Sequence, residues 1–191
     1  MRKTGWSLSV LLAAGPLFAQ VSLGPPGAAA PSPAETVGAA KPSAEPAGPA
    51  AADFSLKDLK GVPVAVSGLK GKVVFIEFWA SWCPPCRKSI PHLNELHRKY
   101  GPKGLTILGV NAGETEDQAR KFAAEAGIEY AVLLDPEGAA DEKYPGRYIP
   151  RGYLIGRDGS LLRENVHPSM LDDQTIEAAL SGSLEAEAPS K

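Results

Sequence analysis

Val73-Val74-Phe75-Ile76-Glu77-Phe78-Trp79-Ala80-Ser81-Trp82-Cys83-Pro84-Pro85-Cys86 is the stretch on which the reading of this chain turns. Its first seven residues are almost all apolar, the pattern of a strand buried on both faces and expected at the centre of a sheet. Its last four hold both cysteines of the chain and open a segment with helical spacing. A buried strand turning tightly into a helix sets the first cysteine beside unpaired backbone N–H groups and the positive end of the helix dipole. A thiolate is favoured there, and the thiolate is the nucleophile of thiol-disulfide exchange. Cys86, almost one turn further on, can attack a mixed disulfide formed on Cys83 and release the partner as a thiol. Two other readings compete. A purely structural bridge closing so short a loop removes little unfolded-state entropy. A zinc site needs another pair of ligands, and three scattered histidines do not supply it.

Downstream of the cysteines, Ile90, Leu93, Leu96 and Tyr100 recur at helical spacing, while Arg87, Lys88, Asn94, Glu95 and Arg98 are expected on the wet side. Pro84 and Pro85 fall in the first turn, where a missing N–H costs little, and Pro91 should kink the helix before Gly101-Pro102 ends it. Leu105 to Val110 reads as a second buried strand. Thr115-Glu116-Asp117-Gln118 is a capping-box pattern opening a helix that stops at Gly127. Ala131 to Leu134 is a further strand. Gly152 to Ile155 and Ser160 to Arg163 flank Gly156-Arg157-Asp158-Gly159 as a hairpin, and a last helix is expected from Leu171 to Leu180. Upstream, Phe54-Ser55-Leu56 and Val62 to Val66 read as two short edge strands, Pro63 fitting an edge best. The fold class is α/β, a mixed central sheet flanked by helices.

The chain has 191 residues and a net charge of −2. No basic stripe with interleaved aromatics is present, so a nucleic-acid partner is not expected. Met1-Arg2-Lys3 followed by the apolar stretch Leu8 to Ala19 reads as an export signal over residues 1–19, with an uncleaved anchor as the alternative. Residues 20–52, almost entirely Ala, Pro, Gly and Ser, read as a disordered linker. One domain is expected over 53–182, with a flexible tail over 183–191. Location follows as periplasmic or otherwise extracytoplasmic: soluble after cleavage, or tethered to the inner membrane if the signal stays.

Phe78-Trp79-Ala80-Ser81-Trp82-Cys83-Pro84-Pro85-Cys86, with Pro91 five residues later and Ile149-Pro150 ahead of a strand, resembles the thioredoxin superfamily. The strand-helix segment added between Leu105 and Leu134, together with the signal and linker, narrows the likeness to the TlpA-like and ResA-like exported thiol-disulfide oxidoreductases. The resemblance implies that Cys83 is the exposed attacking thiolate and Cys86 the buried resolving thiol. It makes Pro150 a cis-proline; from the residues alone, Tyr148-Ile149-Pro150-Arg151 reads equally as an ordinary extended segment. Substrate is expected against Trp82, Pro84, Ile149 and Pro150. Glu77 matches the site of a buried acid under the resolving cysteine, where burial raises its pKa and suits it to proton transfer. The competing reading is a carboxylate turned to solvent or paired with Lys72. Trp79 and Trp82 are expected to pack near the site.

One departure stands out. ResA-like proteins carry a Glu three residues after the second cysteine, near the active-site surface, and this chain has Ser89 there. Arg87 and Lys88 are read either as favouring the thiolate by charge or as simply solvated. The likeness implies reduction of protein disulfides, apocytochrome c among them, with electrons from a membrane thiol-disulfide carrier. It implies a monomer, with no metal and no organic cofactor. A disulfide-donating oxidase and a copper chaperone holding Cu(I) on the two thiols are the alternatives. Thiol peroxidases share the fold but use a single peroxidatic thiolate in a different motif.

Overall fold

Sequence periodicity becomes architecture in the computed structural model, which describes residues 48–187. The expected export signal and all but the end of the linker lie outside the described residues. In chain order the elements are β1 (Ser55–Asp58), β2 (Pro63–Ala65), β3 (Val73–Trp79) and α1 (Pro84–Tyr100). There follow β4 (Leu105–Ala112), α2 (Glu116–Ala126), β5 (Ala131–Asp135) and α3 (Ala139–Lys143). The last are β6 (Arg151–Ile155), β7 (Leu161–Val166) and α4 (Asp173–Ser181).

The strands form one sheet in the order β2-β1-β5-β4-β3-β6-β7. β3, β4 and β5 are mutually parallel, and α1 and α2 supply the crossovers that parallel neighbours require. The remaining pairs are antiparallel. All seven residues of β3 are buried, but the middle of the sheet belongs to β4. An apolar run reports cover on both faces, which β3 and β4 share, and carries no rank within the sheet. Likewise β2, with Pro63, is the edge expected, whereas β1 is held between β2 and β5.

Alternation along β3 sorts the core. Val74, Ile76 and Phe78 enter one cluster with Leu108, Val110, Tyr144 and Tyr153. On the opposite face Val73 and Phe75 pack with Leu93, Leu96 and Tyr100 of α1, while Trp79 joins Cys83, Cys86, Ile90 and Phe122. Each such side chain, taken fully out of water, contributes about 1.5–3 kcal/mol. Asn94, expected on the wet side of α1, is buried: its Nδ2 donates to the Gly127 carbonyl at 2.7 Å and its Oδ1 accepts the Glu129 N–H at 3.0 Å. It thereby ties the end of α2 to α1.

Local signals hold elsewhere. Thr115 and Gln118 form the reciprocal capping box, and Gly127 closes α2 with φ 65°. The last helix starts two residues later than expected because Asp172 is its N-cap, accepting the Thr175 N–H at 2.8 Å. Residues 183–187, expected as part of a tail, lie along β7, with the Glu187 N–H donating to Leu162 O at 3.1 Å.

Candidate active site

The sulfur pair sits at the carboxyl ends of the parallel strands, where α/β sheets gather their functional groups. Cys83 caps α1 in an extended conformation, and Cys83 and Cys86 are joined as a disulfide. Pro84 and Pro85 occupy the first two helical positions and have no N–H to offer. The first donor of the helix is therefore the Cys86 N–H, which points at Cys83 Sγ at 3.2 Å. One amide carries what a helix N-terminus ordinarily spreads over several.

Expectation and structure part over access. Cys83 is 2% exposed rather than open to solvent. Its surroundings explain the burial: both cysteines belong to an apolar cluster with Trp79, Ile90, Phe122 and Val132, and Ile149 packs against that cluster. The Ile149 carbonyl oxygen is 3.7 Å from Cys83 Sγ. A thiol could donate to it, whereas a disulfide sulfur carries no hydrogen. The Ile149–Pro150 peptide bond is cis. Trp82, expected to pack, is 67% exposed, and Tyr148 is 79% exposed. The two aromatics directly precede Cys83 and Ile149, and Pro84 is exposed beside them. Of Trp79 and Trp82 only Trp79 packs, its ring 5.3 Å from that of Phe122.

Glu77 is buried, 1% exposed, and faces α1. Its sheet neighbours are Gly109 on β4 and Gly152 on β6, so the row across three strands carries a single side chain. The glycines are required. A Cβ on Gly109 would lie 2.9 Å from both the Trp79 indole and the Tyr130 ring, and one on Gly152 would lie 2.2 Å from the Phe75 ring. Glu77 Oε1 accepts from the Ser89 hydroxyl at 2.9 Å and Oε2 from the Tyr130 phenol at 3.1 Å. Burial raises the Glu77 pKa to about 7, partly offset by those two hydrogen bonds. The same burial, and then Glu77 itself, push the Tyr130 phenol above its ordinary value. Glu77 is thus neither solvated nor paired with Lys72. Ser89 is not at the surface, as expected from its position, but buried on the α1 face that meets β3.

A second carboxylate, missed in the sequence, shapes the rim. Glu114, just beyond β4, accepts the Ser81 N–H at 2.7 Å, the Ser81 hydroxyl at 2.5 Å and Asn111 Nδ2 at 2.7 Å. Burial pushes its pKa up, but these hydrogen bonds outweigh burial and hold it below the usual carboxylate range. Arg87 donates Nε and Nη2 to the Ser81 carbonyl at 3.0 and 2.7 Å, and its guanidinium lies 4.9 Å over the Phe122 ring. Arg87 is thus anchored on the loop before Cys83 rather than simply solvated. Ser81, two residues before Cys83, has every polar group engaged. The signal available for Glu114 was its place in a Gly-containing loop at the end of a parallel strand; Tyr130 had none beyond being a lone aromatic before β5.

A buried cysteine pair capping a helix, with a cis-proline loop against it, on a parallel-centred sheet, defines a thioredoxin-fold thiol:disulfide oxidoreductase. Known proteins agree. The sequence profile of the AhpC/TSA family matches residues 47–163, and the chain belongs to that family. It is similar to the thiol-disulfide oxidoreductase ResA of Bacillus thuringiensis subsp. konkukian, 35% identical over 117 residues, spanning 61% of this chain and 68% of the relative. ResA of Bacillus cereus is 34% identical over 142 residues, 74% of this chain and 79% of the relative. Among solved structures, a Chlorobium tepidum protein assigned as the thiol:disulfide interchange protein DsbE superposes with a TM-score of 0.65 at 37% identity, covering 72% of this chain and 99% of the other.

Proposed function

We propose that the protein reduces disulfides of exported polypeptides through Cys83 and Cys86. The carrying observation is the pair itself: a helix-capping sulfur with one amide donor, a carbonyl from the cis-proline loop against it, and a buried acid on the strand below. The Cys83 thiolate attacks a substrate disulfide, forming a mixed disulfide and releasing one substrate thiolate. Cys86 gives its proton through water to Glu77 and attacks Cys83 Sγ, and the second substrate thiolate leaves. Two electrons pass to the substrate, and the enzyme is left with the observed disulfide. The substrate chain lies against Trp82, Pro84, Ile149 and Pro150, a reading supported by the Ile149 carbonyl against Cys83 Sγ. Because Cys83 is buried in the oxidised state, a dithiol donor must bring its own thiolate in past Ile149.

The N-terminal pattern supports a site of action outside the cytoplasm, with a membrane thiol-disulfide carrier restoring the dithiol, and the ResA-like resemblance points to apocytochrome c as a substrate. Among the described residues no helix is long and apolar enough to cross a membrane. The deciding experiment is the equilibrium reduction potential of the Cys83/Cys86 pair against dithiothreitol and glutathione buffers. A value well below about −220 mV supports the reductase, and one near about −120 mV makes the protein a disulfide donor instead.

A further inference from the structure

The Ser89 hydroxyl has two claims on a single proton. Its Oγ lies 2.9 Å from Glu77 Oε1 and 2.8 Å from the carbonyl oxygen of Cys86. A serine hydroxyl donates one hydrogen bond and accepts others, so it cannot donate to both oxygens with full strength at once. With Glu77 ionised, the proton turns to the carboxylate. With Glu77 protonated, the carboxylic O–H donates to Ser89 Oγ, and Ser89 donates to Cys86. The Cys86 carbonyl tolerates either state, since within α1 the Ile90 N–H is its regular helical partner.

Among the described residues, no titratable or charged group other than Tyr130 is hydrogen-bonded to this carboxylate. Gly109 and Gly152 flank it in the sheet, α1 presents Ser89 together with the disulfide-bonded Cys86 and apolar Ile90 and Leu93, and the approach to β5 presents the Tyr130 phenol. Among the described residues, the two hydroxyls of Ser89 and Tyr130 stabilise its charge.

We propose that Ser89 is a positioning residue for the resolving step, its one hydroxyl proton coupling the protonation state of Glu77 to the backbone of Cys86. The proposal rests on the reading of Glu77 as proton acceptor for Cys86, and extends it by assigning what sets that acceptor's charge. Without the hydroxyl, Tyr130 remains the single donor, and the carboxylate holds its proton to higher pH.

Two readouts on the full-length protein test this. The first is the titration of the Glu77 side-chain carboxyl carbon by NMR in the oxidised protein, where no thiol titrates. Ser89→Ala is expected to move the midpoint up by about one pH unit, Ser89→Thr, which keeps the hydroxyl, to leave it near wild type, and Tyr130→Phe to move it up as well. The second is the rate at which Cys86 resolves a preformed mixed disulfide between Cys83 and a peptide, measured across pH, a step in which Cys83 does not titrate. Ser89→Ala should shift its acid limb in step, with the rate at pH 7 several-fold lower. Alanine is smaller than serine and the best helix former, so the fold should persist. A residue that only packs would lower the unfolding temperature and move neither midpoint, which overturns the proposal. If Glu77→Gln keeps the acid limb, the reading of Glu77 itself fails. If Glu77→Gln abolishes the limb while Ser89→Ala leaves it in place, the Ser89 proposal alone fails.

Discussion

Two carboxylates, Glu77 within the sheet and Glu114 at its rim, end on opposite sides of the ordinary value although burial raises both and hydrogen-bond donors lower both. Both are buried, at 1% and 8% exposed. Glu77 receives two hydroxyls and is raised to about 7, while Glu114 receives a backbone amide, a hydroxyl and a carboxamide N–H and is lowered. Depth and donor count decide the balance. A carboxylate with three donors near the edge keeps its charge, and one with two donors inside the core is poised to exchange a proton. The first suits a fixed strut for the loop before Cys83, the second suits proton transfer.

The largest test of that contrast is stability against pH, with the disulfide intact. The folded pKa of Glu77 lies above its unfolded value of 4.5, so its contribution is fully present below about 4.5 and is lost as pH rises through about 7. The loss is on the order of 3 kcal/mol. Glu114 has the opposite sign: its contribution is present above the unfolded value and lost as pH falls through the folded one. Denaturant unfolding of Glu77→Gln should therefore lack the decline between about pH 5 and 8, and an unchanged decline breaks the contrast. Next in size, Glu77→Gln should slow resolution of a mixed disulfide at pH 8 by about a hundredfold, the lower range for acid-base catalysis, as followed by stopped-flow fluorescence. Glu114→Gln should instead cost about 2 kcal/mol in unfolding free energy, because charge-assisted bonds to Ser81 and Asn111 weaken, with the acid limb of the rate unmoved. Smallest, Arg87→Ala should cost about 1 kcal/mol through loss of the Ser81 carbonyl contact and the Phe122 stacking, read as a lowered unfolding midpoint.

What the sequence made legible follows the range of the forces involved. The capping box at Thr115, the Asp-Gly hairpin and the apolar run of β3 are local patterns, and all appear where the periodicity puts them. Cys83, Cys86, Glu77 and cis-Pro150 were reachable from one motif and its resemblance. The partners that tune them were not. Ser89 meets Glu77 across twelve residues, Tyr130 across fifty-three, and Glu114 meets Ser81 across thirty-three. Such contacts depend on strand order, which no local pattern encodes. The five-residue α3 escaped for a different reason: it is too short for its spacing to register, and the N–H groups of its second and third residues, Ala140 and Asp141, are held by Asp135. The burial of Cys83 likewise depends on a distant loop folding over it.

The Gly109–Glu77–Gly152 row constrains how sequences of this kind can diverge. Residue 109 can grow only if the rings at 79 and 130 shrink or turn, and residue 152 only if the ring at 75 does. Neither clash is relieved by altering Glu77, so each glycine is bound to the aromatic positions it faces, 109 to 79 and 130, and 152 to 75. A larger residue at 109 or 152 should be found in the company of smaller side chains at the positions it would strike, a linkage between positions that lie far apart along the chain and side by side in the fold.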